Sequence, residues 1–212
     1  MLEQEYNVDD YTGFSINEID AMYCNSQLDM LITHKTDPAA GNPETREPKK
    51  VYIKYYLSSY ETRKNTNTNV KNTRQISKAT LATIIEDLYE IENVLTKQDT
   101  LVIIIDEEPN ETILNMVSYL YEKDGIFIVI HNIKRLQFNL LEHELVPRVR
   151  ILNEKETVEL FGRLNINLSE QLPEISRFDS VSLAIMLRPK QVVEFKRYSP
   201  TALYTDYYRV CV

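Results

Sequence analysis

Glycine is scarce here, with four residues in 212. Phosphate-cradling loops need several closely spaced glycines, so a nucleotide-binding loop of that kind is excluded. No Gly-x-Ser-x-Gly nucleophile elbow occurs either. The two cysteines, Cys24 and Cys211, stand far apart without metal-type spacing. That pattern suits a reducing compartment, and a disulfide between them is the minor alternative. The histidines, His34, His131 and His143, are scattered singly, with no i,i+4 pair and no neighbouring cysteine to build a zinc site. No apolar run approaches the roughly 18 residues of a membrane helix. The opening "MLEQEYNVDD" lacks the basic and apolar regions of a secretory leader. We therefore expect no catalytic residue, no metal, no cofactor and no membrane partner.

What the chain does contain is ordinary for a folded protein: 43% hydrophobic and 26% charged residues, enough at this length for one large or two small cores. The net charge of −8 is unevenly spread. Residues 141–212 hold ten basic and ten acidic side chains, so the excess of acid lies in residues 1–140. Within that part, 46–78 runs the other way, with nine Lys or Arg against Glu47 and Glu61. An acidic whole argues against independent DNA binding, which depends on neutralising phosphates. Arg63, Lys64, Lys71 and Arg74 remain candidates for touching DNA that another protein delivers, although a solvated insertion is the plainer reading of that Asn/Thr/Lys tract.

Hydrophobic patterning divides the chain at about residue 140. "LDMLITH" (28–34) and "VYIKYYL" (51–57) read as strands, and Leu81, Ile84, Ile85, Leu88, Ile91 and Leu95 as the buried face of a helix capped by Ser77 or Thr80. "LVIII" (101–105) and "IFIVI" (126–130) are continuous apolar runs, typical of strands covered on both faces. Between them Pro109 and Asn110 open a helix burying Ile113, Val117, Leu120 and Tyr121, with Gly125 at its exit. Strand, helix, strand makes a βαβ unit inside an α/β domain of about four strands. After 140, Asn153 and Glu156 form a capping box for a helix burying Val158, Phe161 and Leu164. Asp179 caps a short helix over 180–187, and strands at 191–195 and 207–212 are joined by a polar turn from Ser199 to Asp206.

Several dispersed motifs share the last 72 residues: "EHELVP" from Glu142, "QLPEI" from Gln171, Asp179, and "LRPKQVV" from Leu187. They are followed by Arg197, Ser199, Thr201 and Ala202, with Tyr208 and Arg209 after them. In this order and spacing they resemble the C-terminal assembly domain of the fifth subunit of eukaryotic-type DNA-directed RNA polymerases, which has an archaeal counterpart. The resemblance implies an α+β, mixed chain. Residues 1–140 would be a nuclease-like α/β jaw domain without catalysis, and residues 141–212 a small α+β assembly domain ending in a β-hairpin. It further implies docking on the largest polymerase subunit, contact with other polymerase subunits, and proximity to downstream DNA within the complex. Arg197, Ser199, Thr201, Ala202, Tyr208 and Arg209 are the expected interface residues. A jaw domain in front of the assembly domain points to the eukaryotic type, or to a large DNA virus encoding its own polymerase. Location would follow: nucleus for a cellular protein, virion or cytoplasmic viral factory for a viral one.

Departures from that family pattern carry expectations too. Met186, Lys190 and Leu203 stand where the family usually has glycine, and a Cβ at positive φ costs about 1 kcal/mol or more. The turns are therefore expected to have relaxed. Asp179-Ser180 replaces an Asp-Pro, and "DEEPNE" (106–111) replaces a neutral loop near downstream DNA, where its acids would repel phosphate. Such drift favours a viral homologue. The competing reading is a nuclease-fold enzyme holding Mg²⁺ on Asp106, Glu107 and Glu108. The next segment, "GIFIVIHNIK", offers within its strand none of the acid or lysine such a site usually adds. The plainer reading is a solvated strand end whose carboxylates favour the following helix N-terminus.

Overall fold

The computed structural model describes residues 6–25, 27–35, 49–57 and 76–212. Arg63, Lys64, Lys71 and Arg74 lie outside these, as does most of the proline-bearing loop after His34. The chain forms two compact units, Met1–Arg135 and Leu136–Val212.

In the first unit the described strands are β1 (Tyr6–Asn7), β2 (Met30–His34), β3 (Lys50–Tyr56), β4 (Thr100–Ile105) and β5 (Phe127–Asn132). They lie side by side in chain order, antiparallel across β1, β2 and β3 and parallel across β3, β4 and β5. Where about four strands were expected there are five, the extra one being the two-residue β1. The apolar run at 100–105 becomes the central parallel strand, every residue buried. Helix α1 (Ile16–Cys24) opens with a Ser15–Glu18 capping box. Helix α2 (Lys78–Ile85), capped by Ser77, buries Leu81, Ile84 and Ile85. It then widens into a π-helical turn at Glu86–Ile91. The wider turn breaks the 3.6-residue phase, so Ile91, expected in the core, is 72% exposed. Helix α3 (Glu111–Asp124) buries Ile113 and Val117, leaves Leu120 and Tyr121 partly covered, and leaves through Gly125 at φ +74°.

Two carboxylates pin this sheet. Buried Asp99 accepts hydrogen bonds from the Lys50 amide (2.7 Å), the Thr96 amide (2.7 Å) and the Thr96 hydroxyl (2.7 Å), fastening the starts of β3 and β4. Asp29 accepts from the Tyr55 amide (3.0 Å) and the Lys54 ammonium (3.2 Å) at the other end of β3. Burial, then the Asp29 charge beside it, pushes the Tyr52 phenol up to about 12.

In the second unit β6 (Arg148–Ile151), β7 (Glu174–Ile175), β8 (Val192–Ser199) and β9 (Leu203–Cys211) form one sheet in the order β6-β8-β9-β7. Helix α4 (Glu154–Leu164) carries the Asn153–Glu156 capping box with both reciprocal hydrogen bonds, each 2.9 Å. Its phase differs from the expected one. Leu160 is buried and Phe161 partly so, while Val158 is 71% and Leu164 46% exposed. Val158 stands two residues from Leu160, about 200° around a helix of 3.6 residues per turn, so both cannot face the sheet. Asp179 accepts from the Val181 amide (2.9 Å) to cap α5 (Ser180–Ala184), which stops three residues short of the expected end.

The sheet is apolar on both faces at its base. Val193, Phe195 and Cys211 pack with Ile175, Ile185 and Leu187 on one side, while Val192 and Val210 pack with Leu152, Leu160 and Leu172 on the other. Burial raises the Cys211 thiol to about 11, as expected of a cysteine serving as a small core hydrophobe.

The expectation of relaxed turns is wrong. Met186 has φ +53°, Lys190 φ +71° and Leu203 φ +61°. All three keep the left-handed geometry that glycine would adopt without strain. The reason is what each turn must reach. Lys190 donates its amide to the Cys211 carbonyl (2.9 Å) and leads into β8, while the Met186 amide reaches the Leu183 carbonyl (3.2 Å) at the exit of α5. Relaxing either φ would cost those hydrogen bonds and the packing of the strand behind them.

Candidate docking surface

The hairpin β8–β9 is longer and tighter than its sequence suggests. Eight residues of each strand pair, from Val192↔Val210 out to Ser199↔Leu203, and only Pro200, Thr201 and Ala202 lie between the last partners. Its neighbours cover only the base. β6 reaches Lys196, through the pair Arg148↔Lys196, and β7 meets only Val210 and Cys211. Residues 197–206 therefore stand out as a two-stranded ribbon with no further strand on either side among the described residues. Such a ribbon alone is marginal in water.

Alternation along the hairpin sorts its side chains onto two faces. One face of the ribbon carries Tyr198 and Tyr204, directly paired, their rings edge to face with centroids 6.3 Å apart. They are 70% and 56% exposed, and the Lys196 ammonium lies 5.9 Å from the Tyr204 ring. The opposite face carries Arg197, Ser199, Leu203, Thr205 and Tyr207, continuing to Arg209. Leu203, at the tip, is 62% exposed. Large exposed aromatic and aliphatic side chains on a narrow arm are what contact surfaces collect and what free edges usually avoid.

The six residues nominated from sequence fall at three levels of this arm. Ser199, Thr201 and Ala202 shape the tip, where the Ala202 amide donates to the Ser199 hydroxyl (3.4 Å), which lies 3.3 Å from that of Thr201. Arg197 lies halfway down, its guanidinium 4.4 Å from the centre of the Tyr207 ring. Tyr208 and Arg209 sit at the base on opposite faces. The Tyr208 hydroxyl donates to Glu194 Oε1 (3.0 Å) and accepts from Arg163 Nη2 (2.9 Å) on α4. Glu194 Oε2 in turn accepts from Arg150 (3.0 Å), which also pairs with Glu156 of the capping box. This chain of charge-assisted bonds stitches β6, β8, β9 and α4 together and makes Tyr208 a brace inside the unit. Burial, opposed by the Arg163 hydrogen bond, holds the Tyr208 phenol above its ordinary value.

Tyr198 was not singled out from sequence, and Leu203 only as a missing glycine. The signal that finds them is the loop length, because a three-residue turn brings Tyr198 opposite Tyr204.

The carboxylates of the nuclease alternative do not converge. Glu108 Oε1 accepts from Arg135 Nε (3.0 Å) and Asn132 Nδ2 (3.2 Å). The depression lined by Ile76 and residues 105–110 has about 10 Å³ of free space, room for about one water. Among the described residues no three His, Cys, Asp or Glu side chains group as a metal would require.

Comparison with known proteins agrees with the architecture of the second unit. A family described as "RNA polymerase Rpb5, C-terminal domain" matches residues 138–211. The DNA-directed RNA polymerase subunit Rpo5 of Thermococcus kodakarensis is 46% identical over 76 residues, which are 36% of this chain and 92% of the relative. This chain belongs to that family. Rpo5 of Pyrococcus abyssi is 42% identical over 76 residues and 92% of its length, and Rpo5 of Archaeoglobus fulgidus 36% over 77 residues and all of its length. The relatives thus consist almost wholly of the Rpb5-type domain, the unit that carries the exposed arm here. The nuclease reading gains nothing from these relatives.

Proposed function

We infer that the chain is a non-catalytic subunit of a DNA-directed RNA polymerase, seated in the complex by its second unit. The observation that carries this is the near-complete match of polymerase subunits to one domain, combined with that domain's unsupported ribbon bearing Tyr198, Leu203 and Tyr204. A ribbon marginal on its own gains stability when a partner covers it, so the exposed arm is best read as half of an interface. The largest polymerase subunit is our choice of seat, from the family resemblance, with residues from about 141 onward as the assembly domain. The first unit then acts as a jaw near downstream DNA, and the basic tract with Arg63, Lys64, Lys71 and Arg74 is its candidate DNA-facing part. Nucleus or viral compartment follows from the host of the polymerase.

The test is purification through an affinity tag on this chain from its native source, with quantitative mass spectrometry of the eluate. We expect the polymerase subunits at one-to-one stoichiometry with the tagged chain. Recovery of the chain without them would overturn the reading.

A further inference from the structure

The arm has a polarity of charge that bears on the chemistry of its seat. On the face that carries Tyr207, the hairpin positions from Val193 to Cys211 include two cations, Arg197 and Arg209, and no acid. Glu194 and Asp206 both lie on the other face, opposite Tyr208 and Lys196. Both guanidiniums converge on one ring: Arg197 at 4.4 Å and Arg209 at 5.3 Å from the Tyr207 centroid. Neither makes an ion pair among the described residues. Arg209 Nη1 donates to the Glu174 carbonyl (3.2 Å).

Resting on the docking reading above, we propose that the seat of this arm is an acidic polypeptide segment, placing a carboxylate beside the Tyr207 ring between Arg197 and Arg209. A carboxylate accepts two parallel N–H bonds from a guanidinium and so fits the open fork of Arg197, with the Arg209 charge on the same face adding to the attraction. Backbone geometry favours a polypeptide over a nucleic acid as its carrier. The Val210 amide bonds to the Pro173 carbonyl and the Val212 amide to the Ile175 carbonyl, so even-numbered residues of β9 turn their peptide groups away from β8. Past the end of β7, the peptide groups of Asp206 and Tyr208 continue that row along an edge with no strand beside it among the described residues. An extended peptide can bond to such a row, and the ribbon's Asp206 together with a net charge of −8 disfavours phosphate.

The experiment measures binding of the full chain to polymerase particles from which this subunit has been removed, with Arg197→Glu, Arg197→Lys and Tyr198→Ala/Tyr204→Ala variants. Arg197 is exposed on the ribbon, outside both buried clusters of the unit, so the fold should survive its replacement. We expect Arg197→Glu to weaken binding about 30-fold or more, as reversal at a paired interfacial charge does. In the Arg197→Lys particle, a zero-length carbodiimide should couple position 197 to an Asp or Glu of another subunit. If Arg197→Glu binds like the parent while the tyrosine variant does not, docking stands and the carboxylate assignment falls. If nuclease digestion abolishes parental binding, the ligand is phosphate and the proposal is wrong. If neither variant loses affinity, the docking reading falls with it.

Discussion

Alanine at both Tyr198 and Tyr204 is expected to weaken the chain's hold on the polymerase by about 2–4 kcal/mol, the loss typical of aromatic anchors at an interface. The two rings are 70% and 56% exposed in the free chain, so their area is still available for burial against a partner. Their mutual contact contributes only about 0.5–1.5 kcal/mol, the range for an edge-to-face pair, and the free chain should lose no more than that in stability. Paired titrations separate the two quantities: binding to subunit-depleted polymerase, and denaturant unfolding of the free protein. A large loss of stability with unchanged affinity would make the rings structural and remove them from the interface.

The second large effect runs in the opposite direction. Lys190→Gly and Leu203→Gly together should raise the stability of the second unit by about 1–2 kcal/mol. Each residue stands at positive φ, where a Cβ costs roughly 1–2 kcal/mol, and glycine returns part of that gain through its greater freedom in the unfolded chain. Both side chains are exposed, so little packing is lost. Thermal unfolding of the double variant should therefore shift upward. A downward shift would mean that the turns are held by the side chains themselves.

These two predictions also mark where sequence alone falls short. The βαβ core was legible because continuous apolar runs around a 3.6-period segment have few other solutions, and β4, α3 and β5 lie within two residues of where those runs placed them. The Asn153–Glu156 box was legible because its chemistry is local. The left-handed turns were not, because residue identity argues against them. At Met186 and Lys190 the surrounding hydrogen bonds override the preference of each residue, and at Leu203 the closure of the hairpin does. The arm was only half visible. Strands drawn at 191–195 and 207–212 leave a long polar turn, whereas pairing continues through Tyr198–Tyr204 and closes over Pro200, Thr201 and Ala202. Tyr, Thr and Lys on an exposed ribbon look like loop residues to a reading that seeks buried faces, because that ribbon has no core to bury. The grouping of Arg197, Tyr207 and Arg209 depends on this register and so was hidden as well. Of the six interface residues named from sequence, the tip and Arg197 face outward, while Tyr208 is engaged within the unit.

The most direct test compares the whole chain with one ending after residue 135, before the second compact unit begins. Both are expressed with the same tag in cells that assemble the polymerase, and the fraction of each found in purified particles is measured. The whole chain should be recovered in stoichiometric amounts and the shortened one lost from the particles while remaining folded. Equal retention of the two would contradict the assignment of docking to the Rpb5-type domain.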